Sequence, residues 1–288
     1  MSAEQIKPPF TYFGGKLALA ERIAALLPPH AHYVEPFAGS FAVLLAKRPA
    51  PMETANDIDG NLMTFWRILR ERPAELERVC ALTPHSRAEH EAAFTLDGDD
   101  LERARKVWVL LTQGRGGHLP PLRGGWRHYQ DPRGSSASMP GYLRTYTGRM
   151  PAAVERLMNV SLECRPAADI IERYGRHDGV LIYADPPYLA SVRTLNRGRG
   201  RGPDYAHEFR TDDEHRELAA QLRAARAAVI TSGYDSPLYA ELYEGWHRLE
   251  LAGLAGNGTD AARTEVLWSN RPFPQGSLFD GLEEVTAS

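Results

Sequence analysis

The chain has 288 residues, 43% of them hydrophobic and 25% charged, which is the composition of an ordinary globular protein. Its net charge of −3 argues against a chain that binds polyanions over its whole surface, and no apolar run approaches the roughly 20 residues that cross a bilayer. The opening MSAEQIKPPF lacks a basic-then-apolar secretory pattern, and Cys80 and Cys164 stand far apart with no metal-ligand spacing. A cytoplasmic protein with both cysteines as small core residues is expected, with no membrane and no metal.

In chain order, YFGGKLALAERIAALLPP (12–29) opens on a Gly-Gly turn and predicts a helix with Leu17, Ile23, Leu26 and Leu27 on one face, stopped by Pro28-Pro29. HYVEPFAGSFAVLLAK (32–47) predicts a short strand, a turn over 36–40 and an apolar helix. METANDIDGNLMTFWRILRERP (52–73) repeats that plan, with an acidic turn and a helix ending before Pro73. Such βα units imply a parallel sheet with helical crossovers.

Residues 84–150 break the rhythm: a helical piece from Leu101 to Thr112 leads into a Gly-, Pro-, Arg- and aromatic-rich stretch with no sustained period, read as an inserted, loop-rich lobe. Between 101 and 150 nine basic residues face only Glu102 and Asp131, a local charge of +7 that suits either a solvated surface or nucleic-acid phosphates. The βα rhythm then resumes with NVSLECRP, a helix through Tyr174, and GVLIYADPPY. After the loop 189–210, whose NRGRGRGP (196–203) reads as mobile, Thr211 or Asp212 caps the helix DDEHRELAAQLRAARA. AAVITSGYDS, a short helix PLYAELYEG, HRLELAG and TEVLWSN complete the sheet.

Open α/β sheets bind ligands at the carboxyl ends of their strands, and three acids fall there: Glu35, Asp57 and Asp185. Any one of them serves equally well as a cap or a solvated turn; three together suggest a shared pocket. Gly39 in E-P-F-A-G permits close backbone approach, and Asp57 follows at the spacing of a ribose-binding acid although no glycine fingerprint is present. An adenosine-containing cofactor held by its hydroxyls fits this combination.

D-P-P-Y (185–188) ends an apolar strand with an acid, two prolines and an aromatic ring. Alone it is compatible with a surface turn. At a strand end beside companion acids it suits a different task. The amine of an aromatic base is a poor nucleophile, and two acceptors gripping its hydrogens favour a directed lone pair. Asp185 and a neighbouring carbonyl supply both acceptors, Pro186 and Pro187 keep them aimed, and Tyr188 offers a face for stacking.

At these residues the sequence resembles the Dam-type (D12 class, α-group) N6-adenine DNA methyltransferases. PFTYFGGK, VEPFAGS, NDID, ADPPY, TSGYDSPLYAELY and EVLWSN are similar to that family's motifs in the family's order, over roughly 9–70 and 155–270. The resemblance implies a Rossmann-like S-adenosylmethionine-dependent methyltransferase fold, with residues 1–83 and 151–288 as the catalytic domain. It makes 84–150 an inserted target-recognition lobe. It assigns the cofactor to Tyr12, Lys16, Glu35, Phe37, Gly39, Asp57 and Asp185, and catalysis to Asp185, Pro186, Pro187 and Tyr188. Arg115, Arg123, Trp126 and Arg127 would meet double-stranded DNA. The implied reaction is methylation of the 6-amino group of a flipped-out adenine, as in restriction-modification, where a restriction endonuclease is a partner. The 4-amino group of cytosine, RNA, a DNA-binding module without methyl transfer, and an enzyme acting on a small aromatic amine are the alternatives. Two positions depart from the family pattern: Phe41 replaces a common second glycine, and Asp59 stands where asparagine is usual.

Overall fold

The computed structural model describes residues 5–128, 138–188, 211–251 and 264–274, with the backbone of 284–286. The expected mobile stretch 196–203 and Arg133 lie outside the described residues.

Among the described residues eight strands form one sheet in the order β3-β2-β1-β4-β5-β7-β6-β8. They are β1 (His32–Glu35), β2 (Met52–Asn56), β3 (Val160–Glu163), β4 (Val180–Ala184), β5 (Ala228–Tyr234), β6 (His247–Leu251), β7 (Glu265–Ser269) and β8 (Glu284–Thr286). The first five pair in parallel, whereas β7 runs antiparallel to both β5 and β6. From β1 the chain builds outward to β2 and β3, then returns to lay β4 on the other side of β1. That reversal opens a crevice between β1 and β4, where open α/β sheets bind ligands.

Alternation along the strands divides the core. Tyr33, Leu181, Tyr183 and Ile230 pack on one face, and Val34, Ile182, Ala184 and Val229 on the other. Both sets are apolar because helices cover both faces. The first face carries α1 (Ala20–Ala25), α2 (Ala42–Ala46), α3 (Gly60–Glu71), α4 (Pro73–Leu82) and α6 (Asp100–Gln113), which follows the short α5 (Arg87–Ala92). The second is covered by Ala167–Tyr174, Asp212–Ala224 and Pro237–Leu242. Asp59, which replaces the usual asparagine, caps α3 by accepting from the backbone of Asn61 and Leu62. Thr211 and Glu214 form a capping box on Asp212–Ala224.

Several expectations change. The helix expected between the Gly-Gly turn and Pro28 is only Ala20–Ala25; Gly14 holds the turn at φ 71°, and the turns continue to Leu19, whose N–H bonds the Lys16 carbonyl. Cys80 is buried, but Cys164 is exposed, because it follows the edge strand β3. Among the described residues of 84–150 the helical part extends beyond the expected piece 101–112: besides α5 and α6 it holds Met139–Thr147 and the start of Met150–Leu157. Val107, Trp108, Leu110 and Leu111 of α6 join the same core as Phe65 and Trp66 of α3. No helix among the described residues is long and apolar enough to cross a membrane.

Candidate active site

A cavity of about 480 Å³ opens at the crevice. Three of its walls end strands: Glu35 ends β1, Asp57 follows β2 and Asp185 follows β4. Tyr12, Lys16, Phe37 and Gly39 also line it, so each residue assigned to the cofactor in the sequence reading reaches one space. Of D-P-P-Y, Asp185 and Pro187 line the cavity, while the side chains of Pro186 and Tyr188 are buried.

The loop after β1 is held by its neighbour. Asn56 donates to the Pro36 carbonyl at 2.8 Å, the Ala38 N–H bonds the Asn56 carbonyl, and Trp66 donates to the Gly39 carbonyl at 3.0 Å. Asp57 accepts from the Gly39 N–H and the Asp59 N–H, both at 2.9 Å, tying the two turns together. Gly39 sits at φ 49°, and a Cβ there would press on the Tyr12 ring at 3.1 Å, so both the backbone and the space favour glycine. Phe41, the departure from the family pattern, also has a positive φ of 57°. Its ring does not line the cavity; it is fully buried and stacked on Trp66 at 4.2 Å, contact that offsets the backbone strain.

Glu35 is almost wholly buried and accepts from the Tyr33 hydroxyl at 2.5 Å. Burial pushes its carboxyl up to about 8, outweighing the Tyr33 hydrogen bond and the Lys47 charge. An acid whose folded value is raised adds stability in full below its ordinary value, here 4.5, and loses it as pH rises through about 8. Glu35→Gln, which carries no charge at any pH, should therefore melt above the parent at pH of about 8.5 and converge with it near pH 5. Scanning calorimetry across that range checks this, and an offset independent of pH would refute it.

Around Asp185 the structure assembles groups from distant parts of the chain. Lys16 Nζ lies 2.8 Å from Asp185 Oδ1, bonds the Tyr188 hydroxyl and sits 3.8 Å from Glu265. Although burial opposes its charge, Asp185 and then Glu265 hold the Lys16 ammonium above its usual value. Tyr188 donates to Glu265 Oε1 at 2.6 Å, with its ring 4.6 Å from that of Tyr234 and under Lys16 at 4.7 Å. Ser232 Oγ donates to Asp185 Oδ1 at 2.7 Å. Burial raises the Glu265 carboxyl. The Tyr188 hydroxyl, Glu265 and Ser232 were not among the groups expected here from the sequence. One signal was available: Glu265 is an acid opening a fully buried strand, and because β7 runs backwards its first residue shares an edge with the last residue of β5, Tyr234.

The basic stretch proves divided. Arg103 pairs with Asp100, Arg105 with Glu89 and Glu102, and Lys106 with Asp97. Three of those acids precede residue 101, so the local excess is smaller than the window implied. Arg115 and Arg123 are exposed, and among the described residues neither they nor Arg127 has a carboxylate partner. Arg123 lies over Phe94 at 4.6 Å, and Arg127 lies over Tyr142 at 5.8 Å. Trp126 stacks on His85 (4.5 Å) and on His128 (5.1 Å), with the Arg87 guanidinium 4.8 Å from its ring. The loop they occupy reaches the cavity's rim, since the Phe13 N–H bonds the Gly117 carbonyl at 3.0 Å. No cluster of three metal-ligating side chains occurs among the described residues.

Residues 12–98 match the D12 class N6 adenine-specific DNA methyltransferase family. A curated relative, the DNA N-6-adenine-methyltransferase of Escherichia phage P1, is 24% identical over 258 residues, covering 84% of this chain. The chain spans about a third (32%) of that relative's length. A crystal structure of a Legionella pneumophila protein covers 91% of this chain and 86% of its own, but at 12% identity and a TM-score of 0.30 the likeness defines no shared fold.

Proposed function

We propose that the chain is a site-specific DNA adenine methyltransferase, moving a methyl group from S-adenosylmethionine to the 6-amino group of a flipped-out adenine. The observation that carries the reading is that the E-P-F-A-G loop, Asp57 and D-P-P-Y, read separately in the sequence, open into one cavity at the β1/β4 crevice. The family match over 12–98 and the phage relative support it. The order of the sheet and its reversed seventh strand support a Rossmann-like methyltransferase fold. Residues 1–83 and 151–288 form the catalytic domain in this reading, and 84–150 form a target-recognition lobe rooted on the core by α6.

The residues fit the cofactor. A volume of 480 Å³ lies in the range of small-molecule sites, and its lining joins carboxylates to aromatic and apolar walls. Asp57 would accept the ribose hydroxyls from its place on the cavity wall. Tyr12 and Phe37 would face the cationic end, where ring faces favour positive charge, and that charge would draw the buried Glu35 carboxyl back toward its ionised form. Bound there, S-adenosylmethionine supplies an activated methyl group. Asp185 and the Pro186 carbonyl would grip the two amine hydrogens and direct the nitrogen lone pair. Asp185 or water would take the proton that the methylated nitrogen must lose. The rate gain then comes from positioning and fixed dipoles. Arg115, Arg123, Trp126 and Arg127 would hold the DNA in a cytoplasmic setting.

Incubation with labelled S-adenosylmethionine and unmethylated genomic DNA, then digestion to nucleosides, should place the label in 6-methyladenine, with binding that weakens steeply as salt rises. Label in 4-methylcytosine or RNA would move the acceptor within the class. Cofactor binding without label in any nucleic acid would refute the reading.

A further inference from the structure

We propose that Ser232 is a positioning residue that holds one oxygen of Asp185 and thereby commits the other to the acceptor amine. The inference rests on the function proposed above. Ala184 pairs with Thr231 in the parallel register of β4 and β5, which brings the next residues, Asp185 and Ser232, alongside each other at the carboxyl edge. Ser232 is fully buried. Its Oγ accepts from the Tyr183 hydroxyl at 3.2 Å and donates to Asp185 Oδ1 at 2.7 Å, while the Ala184 carbonyl, at 3.5 Å, is a distant second acceptor. The serine hydrogen therefore has one favoured direction.

Lys16 reaches the same Oδ1 at 2.8 Å, and the Tyr188 hydroxyl lies 3.4 Å from it. Among the described residues no donor reaches Oδ2, although Asp185 lines the cavity. The terminal torsion of an aspartate is broad and nearly two-fold, so nothing intrinsic tells the two oxygens apart. Donors converging on one of them do. A carboxylate plane held this way presents Oδ2 to the amine without reorganising as charge develops on nitrogen.

The test compares Ser232→Ala with Ser232→Thr, which keeps the hydroxyl on a residue suited to a strand. Single-turnover methyl transfer should fall about ten- to a hundredfold in Ser232→Ala, the usual effect of losing one hydrogen bond to a charged group. Dissociation constants for S-adenosylmethionine and DNA should stay within about twofold, and Ser232→Thr should recover to within about threefold of the parent. Should Ser232→Ala fail to fold, Ser232→Cys, close in size but a weak donor, should give the same loss of rate without loss of binding. Equal rates in Ala and parent would overturn the inference, as would equal losses in Ala and Thr, or a defect confined to cofactor affinity. Parent label in cytosine would overturn the adenine reading alone, with the Ala–Thr contrast still deciding Ser232. No label from the parent in any acceptor would overturn both.

Discussion

Asp185→Ala should reduce single-turnover methyl transfer by about a hundred- to a thousandfold, the usual effect of removing one acceptor or donor aimed at the reacting group. The variant should stay folded. Asp185 lies at a strand end on a cavity wall, not within a packed layer. Its main protein partner, Lys16, keeps the Tyr188 hydroxyl, the Gly14 carbonyl and Glu265 when Asp185 is gone. Circular dichroism and a thermal midpoint close to that of the parent, together with the lost rate, would separate chemistry from folding. A variant retaining more than about a tenth of the parental rate would remove Asp185 from the reaction.

Glu53→Ala should do the opposite, unfolding the protein at much lower temperature. Glu53 on β2 is completely buried and accepts from Lys47 after α2, from the Ala50 N–H at 3.1 Å, and from both terminal nitrogens of Arg156. Arg156 lies on the helix Met150–Leu157 and also donates to the Leu44 carbonyl. The carboxylate thus joins strand, helix and loop at one point and neutralises two cations. Removing one partner of such a buried group costs about 3–5 kcal/mol, because the remaining charges are left without compensation. In a chain of this size that is on the order of 10 °C in Tm. The Arg156 and Lys47 bonds outweigh burial and hold the Glu53 carboxyl below its usual value, so its stabilisation is complete above the unfolded value and lost as pH falls through the folded one. A Tm within about 3 °C of the parent would show that the triad contributes little.

The strand-end acids were legible because the signal is local. An apolar run marks a strand, the next residues mark its end, and a parallel sheet puts all such ends on one edge. On that ground alone Glu35, Asp57 and Asp185 share one edge. The end of α3 before Pro73 is equally local, because an apolar period and a helix breaker coincide there. The role of Phe41 was not legible: its sequence neighbours do not reveal that a positive φ turns the ring away from the cavity and onto Trp66. Nor was the pairing within 101–150, since the acids that neutralise Arg103, Arg105 and Lys106 stand partly outside any window drawn on the basic residues.

Local pattern thus established the βα rhythm, the three acids and the order of the motifs, all of which depend on residues a few positions apart. The environment of Asp185 depended on the sheet. Ser232 stands 47 residues away, Glu265 reaches Tyr188 across 77, and Lys16 reaches the same tyrosine across 172. Strand order and the reversal of β7 bring these groups to one edge, and neither is written in the periodicity of a single segment. Hydrogen bonds and ion pairs act over a few ångströms in space whatever the separation along the chain, so the partners of a strand-end carboxylate such as Asp185 emerge only when the strands are laid side by side.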